Sequence, residues 1–233
     1  MSCVITGAEK TPVDKLGIQN VSLLLHGDGA NGSTTIIDSS PTPKTITCFN
    51  GASISTDQSR FGISSINFPN SANTYLTSTS GPEFTFGRSP WTVEAWVFQR
   101  TKALNATLLE IGPHGPSTGF AIFVGSSGFR VYSGNFFGSG GSLPVNDWIH
   151  LAVTQDGSTL RFFAGGILTS SASFTNNLTV NSPIAIGYPI GQVPAATNND
   201  YRFDGYIDDL RITKGVARYT SNFTPPTAPF PDI

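Results

Sequence analysis

Few acidic residues of this chain are placed where they could catalyse the hydrolysis of a glycosidic bond. That reaction requires two carboxyl groups flanking one bond. The only close acidic cluster is Asp204, Asp208 and Asp209, whereas Glu94 and Glu110 each stand alone in an apolar run. Because apolar and aromatic residues surround Glu94, we expect it to form a buried hydrogen bond rather than to act as a general acid.

The three histidines do not form a recognisable catalytic motif. His26 ends an apolar run, His150 alternates with aliphatic residues, and His114 lies in a Gly-Pro loop. Members of a triad need be adjacent only in space, so spacing alone leaves a triad open. The chain contains no Gly-x-Ser-x-Gly nucleophile elbow and no catalytic cysteine signature. We therefore predict a protein that is not an enzyme.

The charge and composition exclude several classes of partner. Of the 233 residues, 12% are charged and the net charge is -2, with no run of Lys or Arg. This balance argues against binding of nucleic acid or of anionic membranes. We expect no signal peptide and no transmembrane helix, since no apolar run approaches the ~18 residues that such a helix requires. Cys3 and Cys48 fit no zinc motif; free thiols in a reducing cytosol are expected, with a pairing as the alternative.

The pattern of apolar residues predicts short strands almost throughout the chain. Runs rich in aromatic and β-branched residues are bounded by Gly, Pro, Asn or Ser, which is typical of an all-β, antiparallel two-sheet jelly-roll sandwich. The turn residues Asp156-Gly157 and Gly165-Gly166 predict hairpins on either side of the run at 159–164. The predicted strands are 21–26, 44–49, 63–68, 91–98, 107–111, 119–124, 129–133, 148–154, 159–164, 183–187 and 203–213.

The two ends of the chain differ from the middle. Residues 1–20 lack strand alternation and are predicted to form an extended arm, and residues 21–221 the sandwich. Residues 222–233 form a proline-rich tail, which we expect to run along the surface, pinned by Phe223 and Phe230. A linker to another protein is the alternative interpretation of this tail.

Five separated segments of the chain together form a recognisable pattern. They are LLLHGDGANGS at 23–33, FGISSINF at 61–68, WTVEAWV at 91–97, WIHLAVT at 148–154 and FDGYIDDLRI at 203–212. These segments resemble those of the laminin G-like (concanavalin A-like) jelly-roll domains of phage tail and other virion proteins. They follow one another in the order of that family, and the resemblance extends from about residue 23 to 229. The closing segment is similar to the family's "F-x-G-x-I-D-D-x-R-I" strand.

The resemblance implies a structural calcium ion. Related domains often hold Ca²⁺ between the closing strand and the opening loop, and here Asp28, Asp38 and Asp208 would be the ligands. Strict alternation places Asp208 on the core-facing side of its strand, where a carboxylate requires a partner. The alternatives without metal are a hydrogen-bonded Asp208, or its pairing with Arg211 or Arg60.

The resemblance also implies a binding function on a virion. Relatives that cleave β-glucans carry a Glu-x-Asp-x-Glu or Glu-x-Asp-x-x-Glu strand, which has no counterpart here. We therefore expect a phage surface protein, a tail fibre or a capsid decoration, made in the host cytoplasm. Its partners would be host-surface glycan or neighbouring virion proteins, as a homo-oligomer or within a lattice; a purely architectural protein without a sugar site is the alternative.

Aromatic and amide side chains near loops are the candidates for sugar contacts. Aromatic rings stack against sugar rings, and amides hydrogen-bond to hydroxyl groups. The candidates are Tyr132, Asn135, Phe136, Phe137, Tyr188, Asn198 and Tyr201.

Overall fold

The computed structural model describes residues 20–71, 73–141, 143–191 and 199–232. Helix in this part of the chain is confined to short 3-10 turns such as Pro82–Phe84 and Asn199–Tyr201. No helix of the described residues is long and apolar enough to span a membrane. The strands are β1 (Val21–Leu25), β2 (Ile46–Phe49), β3 (Ser53–Ser55), β4 (Ser65–Phe68), β5 (Tyr75–Ser78), β6 (Trp91–Lys102), β7 (Thr107–Ile111), β8 (Phe120–Gly125), β9 (Gly128–Ser133), β10 (Asn135–Gly140), β11 (Trp148–Gln155), β12 (Thr159–Ala164), β13 (Ile167–Ser173), β14 (Ile184–Ile186) and β15 (Phe203–Lys214).

These strands form two antiparallel sheets that pack face to face. The eight-stranded sheet has the order β13-β12-β11-β6-β15-β4-β3, and β1 also pairs with β15. The seven-stranded sheet has the order β10-β9-β8-β7-β14-β5-β2. Alternate side chains of both sheets fill one core, in which Trp91 stacks on Phe120 with ring centroids 4.7 Å apart. The predicted all-β, two-sheet antiparallel sandwich is confirmed.

The turn residues position strands β11 to β13 as the sequence predicted. Strand β11 pairs with β12, and β12 pairs with β13 through a turn in which Ala164 faces Ile167. Gly165 and Gly166 occupy this turn with φ of 59° and 79°, a conformation that costs little only for glycine. At Gly166 a β-carbon would also lie 2.1 Å from the carbonyl oxygen of Phe223.

The closing strand β15 departs from the predicted alternation, because it contains a bulge. The register with β6 shifts between Asp208 and Arg211, and Asp209 has a φ of 51°. Ile207 and Leu210 both reach the core, while Asp208 and Arg211 lie on the outer face. The prediction that Asp208 faces the core was wrong, since the extra residue changes which side chains point inward.

The C-terminal tail lies against the outer face of the eight-stranded sheet. The Tyr219 ring stacks on Phe223 with centroids 3.6 Å apart, and the Thr154 hydroxyl donates a hydrogen bond of 2.7 Å to the Tyr219 carbonyl oxygen. Phe230 is buried, and its N–H donates to Asp209 at 2.8 Å. Both phenylalanines of the tail therefore contact the sandwich. The N-terminal arm predicted at 1–20 lies outside the described residues except for Asn20.

Candidate functional site

An aromatic surface covers one end of the outer face of the seven-stranded sheet. On β8 the side chains of Phe120, Ile122 and Val124 enter the core, so the intervening Phe123 points outward. The same alternation on β9 turns Tyr132 outward. Because β8, β9 and β10 are hydrogen-bonded neighbours, outward side chains of all three strands meet on this face.

Four aromatic residues form this surface, which we call the aromatic face: Phe123, Tyr132, Phe136 and Tyr201. Phe123 is buried at the centre, with the Phe136 ring at 6.2 Å and the Tyr201 ring at 5.9 Å. Tyr132 meets Phe136 edge to face at 4.8 Å. Phe136 is 51% exposed and therefore presents its ring to solvent. Such a surface can bury an apolar ring and offer tyrosine hydroxyls to polar groups.

Arg130 adds a positive charge beside the exposed ring. Its guanidinium lies 4.1 Å from the centroid of Phe136, and its Nη2 donates hydrogen bonds to Asn105 and Ser127. Burial lowers the pKa of Arg130, while the neighbouring Tyr201 opposes that effect. The arginine is thus held in a fixed position at the edge of the aromatic face.

Glu110 fastens the loop beside the aromatic face. Its buried carboxylate accepts hydrogen bonds from the N–H groups of Ile190 at 2.7 Å and Gly191 at 3.0 Å. The other oxygen lies 2.7 Å from Nδ1 of His114, although the two groups are not aligned for a hydrogen bond. His114 in turn meets Tyr132 edge to face at 5.2 Å. This buried carboxylate positions the backbone of residues 190–191.

The predicted sugar-contacting residues are partly brought together. Tyr132, Phe136 and Tyr201 lie on the aromatic face, and Tyr188 is buried near Tyr201. Burial is the main cause of the raised pKa of Tyr188, and the charge of Tyr201 adds to the increase. Asn135 is exposed at the start of β10.

One of the predicted residues lies elsewhere. Phe137 turns toward the core and meets Phe174 at 5.0 Å, because it alternates with Phe136 along β10. Asn198 lies outside the described residues. Sequence reasoning did not name Phe123 or Arg130, whose outward alternation between core residues of β8 and β9 was the available signal.

The three aspartates proposed as calcium ligands are not gathered into one group. Both oxygens of Asp38 are engaged by strand β1 and by its own loop. Oδ1 accepts from the N–H groups of Leu24 and Ser40, each at 3.0 Å, and Oδ2 accepts from the N–H of Lys44 at 2.7 Å and the Ser40 hydroxyl at 2.9 Å. Among the described residues, no three His, Cys, Asp or Glu side chains lie close enough together to hold a metal ion.

Asp208 instead binds backbone donors. Its Oδ2 accepts hydrogen bonds from the N–H groups of Arg60 at 2.7 Å and Phe61 at 3.1 Å. Burial raises the pKa of Asp208 to about 7, and the nearby charges of Asp209 and Asp28 contribute to the increase. Asp28 and Asp208 are thus neighbours, whereas Asp38 is not part of their group.

Glu94 is the centre of a buried polar network under the C-terminal tail. Arg211 donates two hydrogen bonds to its Oε1, of 3.0 and 2.8 Å, and the Tyr219 hydroxyl donates to Oε2 at 2.7 Å. His150 Nε2 lies 3.4 Å from Oε2. The prediction of a buried hydrogen bond at Glu94 is confirmed, and Arg211 pairs with Glu94 rather than with Asp208.

A surface cavity of about 430 Å³ lies away from the aromatic face. It is lined by residues that include Val21, Glu83 and Lys214. Lys214 donates to the Pro82 carbonyl oxygen at 2.8 Å, and the Glu83 carboxylate lies 3.6 Å from the Lys44 ammonium. Its charged groups therefore already have partners within the fold, and we place the candidate site on the aromatic face.

Comparison with solved structures finds the same fold in binding domains. Domain 4 of a GH43 extracellular arabinanase from Geobacillus stearothermophilus, solved in complex with arabinotriose, has a TM-score of 0.63 and 17% identity, covering 84% of this chain and 93% of that chain. The binding domain of Paraclostridial Mosquitocidal Protein 1 has a TM-score of 0.63 and 15% identity, covering 86% of this chain and 50% of that chain.

A third similar structure comes from a study of botulinum neurotoxin type C, whose cell entry depends on interaction with two ganglioside molecules. It has a TM-score of 0.63 and 13% identity, covering 86% of this chain and 50% of that chain. The chain thus spans about half the length of the two toxin chains. A search of curated proteins found no significant match.

The family is established by a sequence model rather than by these structures. A model described as the concanavalin A-like lectin/glucanases superfamily matches residues 70–218, more than half of the chain. The match includes strands β5 to β15 and all four residues of the aromatic face. This chain belongs to the concanavalin A-like lectin/glucanases superfamily.

Proposed function

We propose that this protein binds glycans through the aromatic face and does not cleave them. The observation that carries the proposal is the half-exposed Phe136 ring, held between Tyr132 and Arg130 above the buried Phe123. Sugar rings present C–H groups on one side and hydroxyls at the edge, which match an aromatic ring flanked by polar groups.

The similar structures support a sugar ligand. The arabinanase domain, which this chain matches over 93% of that domain, was solved with arabinotriose. The neurotoxin chain interacts with gangliosides, although this chain spans only half of it. At identities below 20% these likenesses concern the fold, so the ligand must be tested directly.

The positions of the strand carboxylates support binding without hydrolysis. A glycosidase requires a pair of carboxyl groups on either side of the sugar. Glu94 is buried and saturated by Arg211 and Tyr219, and Glu110 is buried and engaged by two N–H groups and His114. Neither carboxylate is available to a substrate, so we assign both to structure.

We further propose that the domain acts on the surface of a phage particle, as a tail fibre or capsid decoration. The likeness of the closing strand and four other segments to virion domains supports this location. Other virion proteins would then be its neighbours, in a homo-oligomer or a lattice. The architectural alternative, without a sugar site, predicts particle incorporation but no glycan binding.

Calcium remains a narrower proposal, limited to Asp28 and Asp208. Their mutual repulsion would be relieved by a cation, whereas Asp38 has its donors in place. We expect added calcium to raise the melting temperature of wild type and Asp38→Asn more than that of Asp28→Asn. An equal shift in all three proteins, or none, would contradict the proposal.

The glycan-binding proposal is tested by titration calorimetry with arabinotriose and a glycan array. Phe136→Ala should weaken binding by about tenfold or more, since removing a stacked ring costs on the order of 1.5 kcal/mol. The matched control is Phe49→Ala, which should leave glycan binding unchanged. Phe49 is also part-exposed but lies on β2, the opposite edge strand of the sheet. At ~4.8 Å between neighbouring strands, β2 is about 29 Å from β10. A wild-type protein that binds no glycan would overturn the proposal.

A further inference from the structure

We propose that the aromatic face selects glycans that carry a carboxylate, and that Arg130 is the residue that recognises this group. The inference rests on the proposed glycan-binding function and adds the chemical class of the ligand. Its basis is a cation placed over the exposed ring of the site without an acidic partner.

Several arginines of the sandwich are paired with a carboxylate, whereas Arg130 is not. Arg100 pairs with Asp204 at 2.7 Å, Arg161 with Asp156 at 2.6 Å, and Arg211 with Glu94 at 2.8 Å. No described carboxylate lies within 4.0 Å of the Arg130 guanidinium nitrogens. Its charge is therefore not neutralised inside the fold.

The partners that Arg130 does have are neutral and leave its charge in place. Nη2 donates to the side-chain oxygens of Asn105 and Ser127, and Nε is buried without a hydrogen-bond partner. A buried or half-buried charge without full compensation is costly, and an incoming anion would lower that cost. Since both hydrogens of Nη2 are engaged and Nε is buried, Nη1 is the nitrogen left to donate to an incoming carboxylate, while the guanidinium stays stacked on the Phe136 ring.

The other charged groups near the aromatic face do not cancel this preference. Glu110 is buried, and its Oε2 already accepts hydrogen bonds from the N–H groups of Ile190 and Gly191. Asp200 is exposed, and its backbone oxygen accepts the Asn105 N–H at 2.6 Å. On the opposite side Arg202 lies near Tyr188, where its charge opposes the rise that burial causes in the Tyr188 pKa. Two cations thus flank Tyr201 and Tyr188.

The test compares two oligosaccharides of equal length that differ only in charge: oligogalacturonate and its carboxyl-reduced, neutral form. We expect wild type to bind the charged form about ten- to a hundredfold more tightly, because hydrogen bonds to charged groups are worth on the order of 1.5–3 kcal/mol. Raising the salt concentration about tenfold should reduce this difference. Arg130→Gln should bind the two forms equally, and Arg130→Lys should keep part of the preference.

The matched control is Arg88→Gln. Arg88 is exposed and lies just before β6, at the far end of that strand from the loop that contacts Arg130. It should leave the preference for the charged form unchanged. Equal binding of both forms by wild type, with loss of both in Phe136→Ala, would overturn the charge preference and keep the proposed function. Binding of neither form would overturn both.

Discussion

The network around Glu94 gives a sharp prediction for stability. Burial opposes the charged form of Glu94, but the charge of Arg211, the neighbouring His150 and the hydrogen bond from Tyr219 outweigh it and lower the pKa to about 2. Glu94→Gln keeps the shape and removes the charge, which leaves the 5%-exposed Arg211 side chain without its partner. Breaking a buried pair in this way costs about 3–5 kcal/mol.

Chemical denaturation with urea measures this loss directly. For a chain of this size each kcal/mol corresponds to roughly 2–4 °C, so Glu94→Gln should also melt about 6–20 °C lower. The control is Glu83→Gln, which removes a part-exposed carboxylate 3.6 Å from Lys44 and should cost less than about 1 kcal/mol. Adding Arg211→Met to Glu94→Gln should restore part of the stability, since no buried cation is then left unpaired.

The pH dependence of Glu94 follows from the same network. The folded pKa of about 2 lies below the ordinary value of 4.5, so the carboxylate contributes its full stabilisation above pH 4.5 and loses it as the pH falls toward 2. A loss below about 1 kcal/mol for Glu94→Gln, or a loss equal to that of Glu83→Gln, would refute the reasoning that the pair is buried and essential.

Three further predictions concern single residues. The hydrogen bond to Asp209 outweighs partial burial and raises the pKa of His26 from 6.5 to about 9. Stability measured by urea unfolding should therefore fall as the pH rises from 6.5 through 9, and His26→Gln should flatten this part of the plot of stability against pH. The Asp208 pKa is raised from 3.8 to about 7, so stability should also fall as the pH rises from 3.8 to 7, and Asp208→Asn should remove that decline. If Asp208→Asn leaves the pH profile unchanged, Asp208 is ionised in the folded state. Gly166→Ala should lower the melting temperature more than Gly165→Ala, because both have positive φ but only Gly166 would clash with the tail; equal losses would place the tail elsewhere.

The strand pattern could be predicted because the core requires alternation. Strands β7 and β12 have the predicted bounds, 107–111 and 159–164, since each is flanked by turn residues. In β12 the alternate residues Leu160 and Phe162 face the core. The predicted strands do not include β10, whose glycines interrupt the alternation typical of a strand. In the structure Gly138 lies in this strand, where a β-carbon would lie 2.3 Å from the Phe162 ring. The glycine is explained by close packing rather than by a turn.

The functional face was harder to predict because it is assembled from distant segments. Phe123 and Tyr201 are separated by 77 intervening positions and meet only when the 3-10 turn at 199–201 packs beside β8. The face on which Asp208 lies was mispredicted because the strand contains a bulge at Asp209 that adds one residue. A glycine at this position would have indicated the bulge, but the sequence has an aspartate there. Residue types indicated aromatic sugar contacts, whereas only the sheet order shows which rings share a face.

The most direct test of the account is a nuclear magnetic resonance titration of the labelled protein with arabinotriose and with oligogalacturonate. If the aromatic face is the binding site, the amide signals that shift should belong to β8, β9, β10 and residues 199–202. Shifts confined to the outer face of the eight-stranded sheet, or no shifts with either sugar, would contradict the central claim.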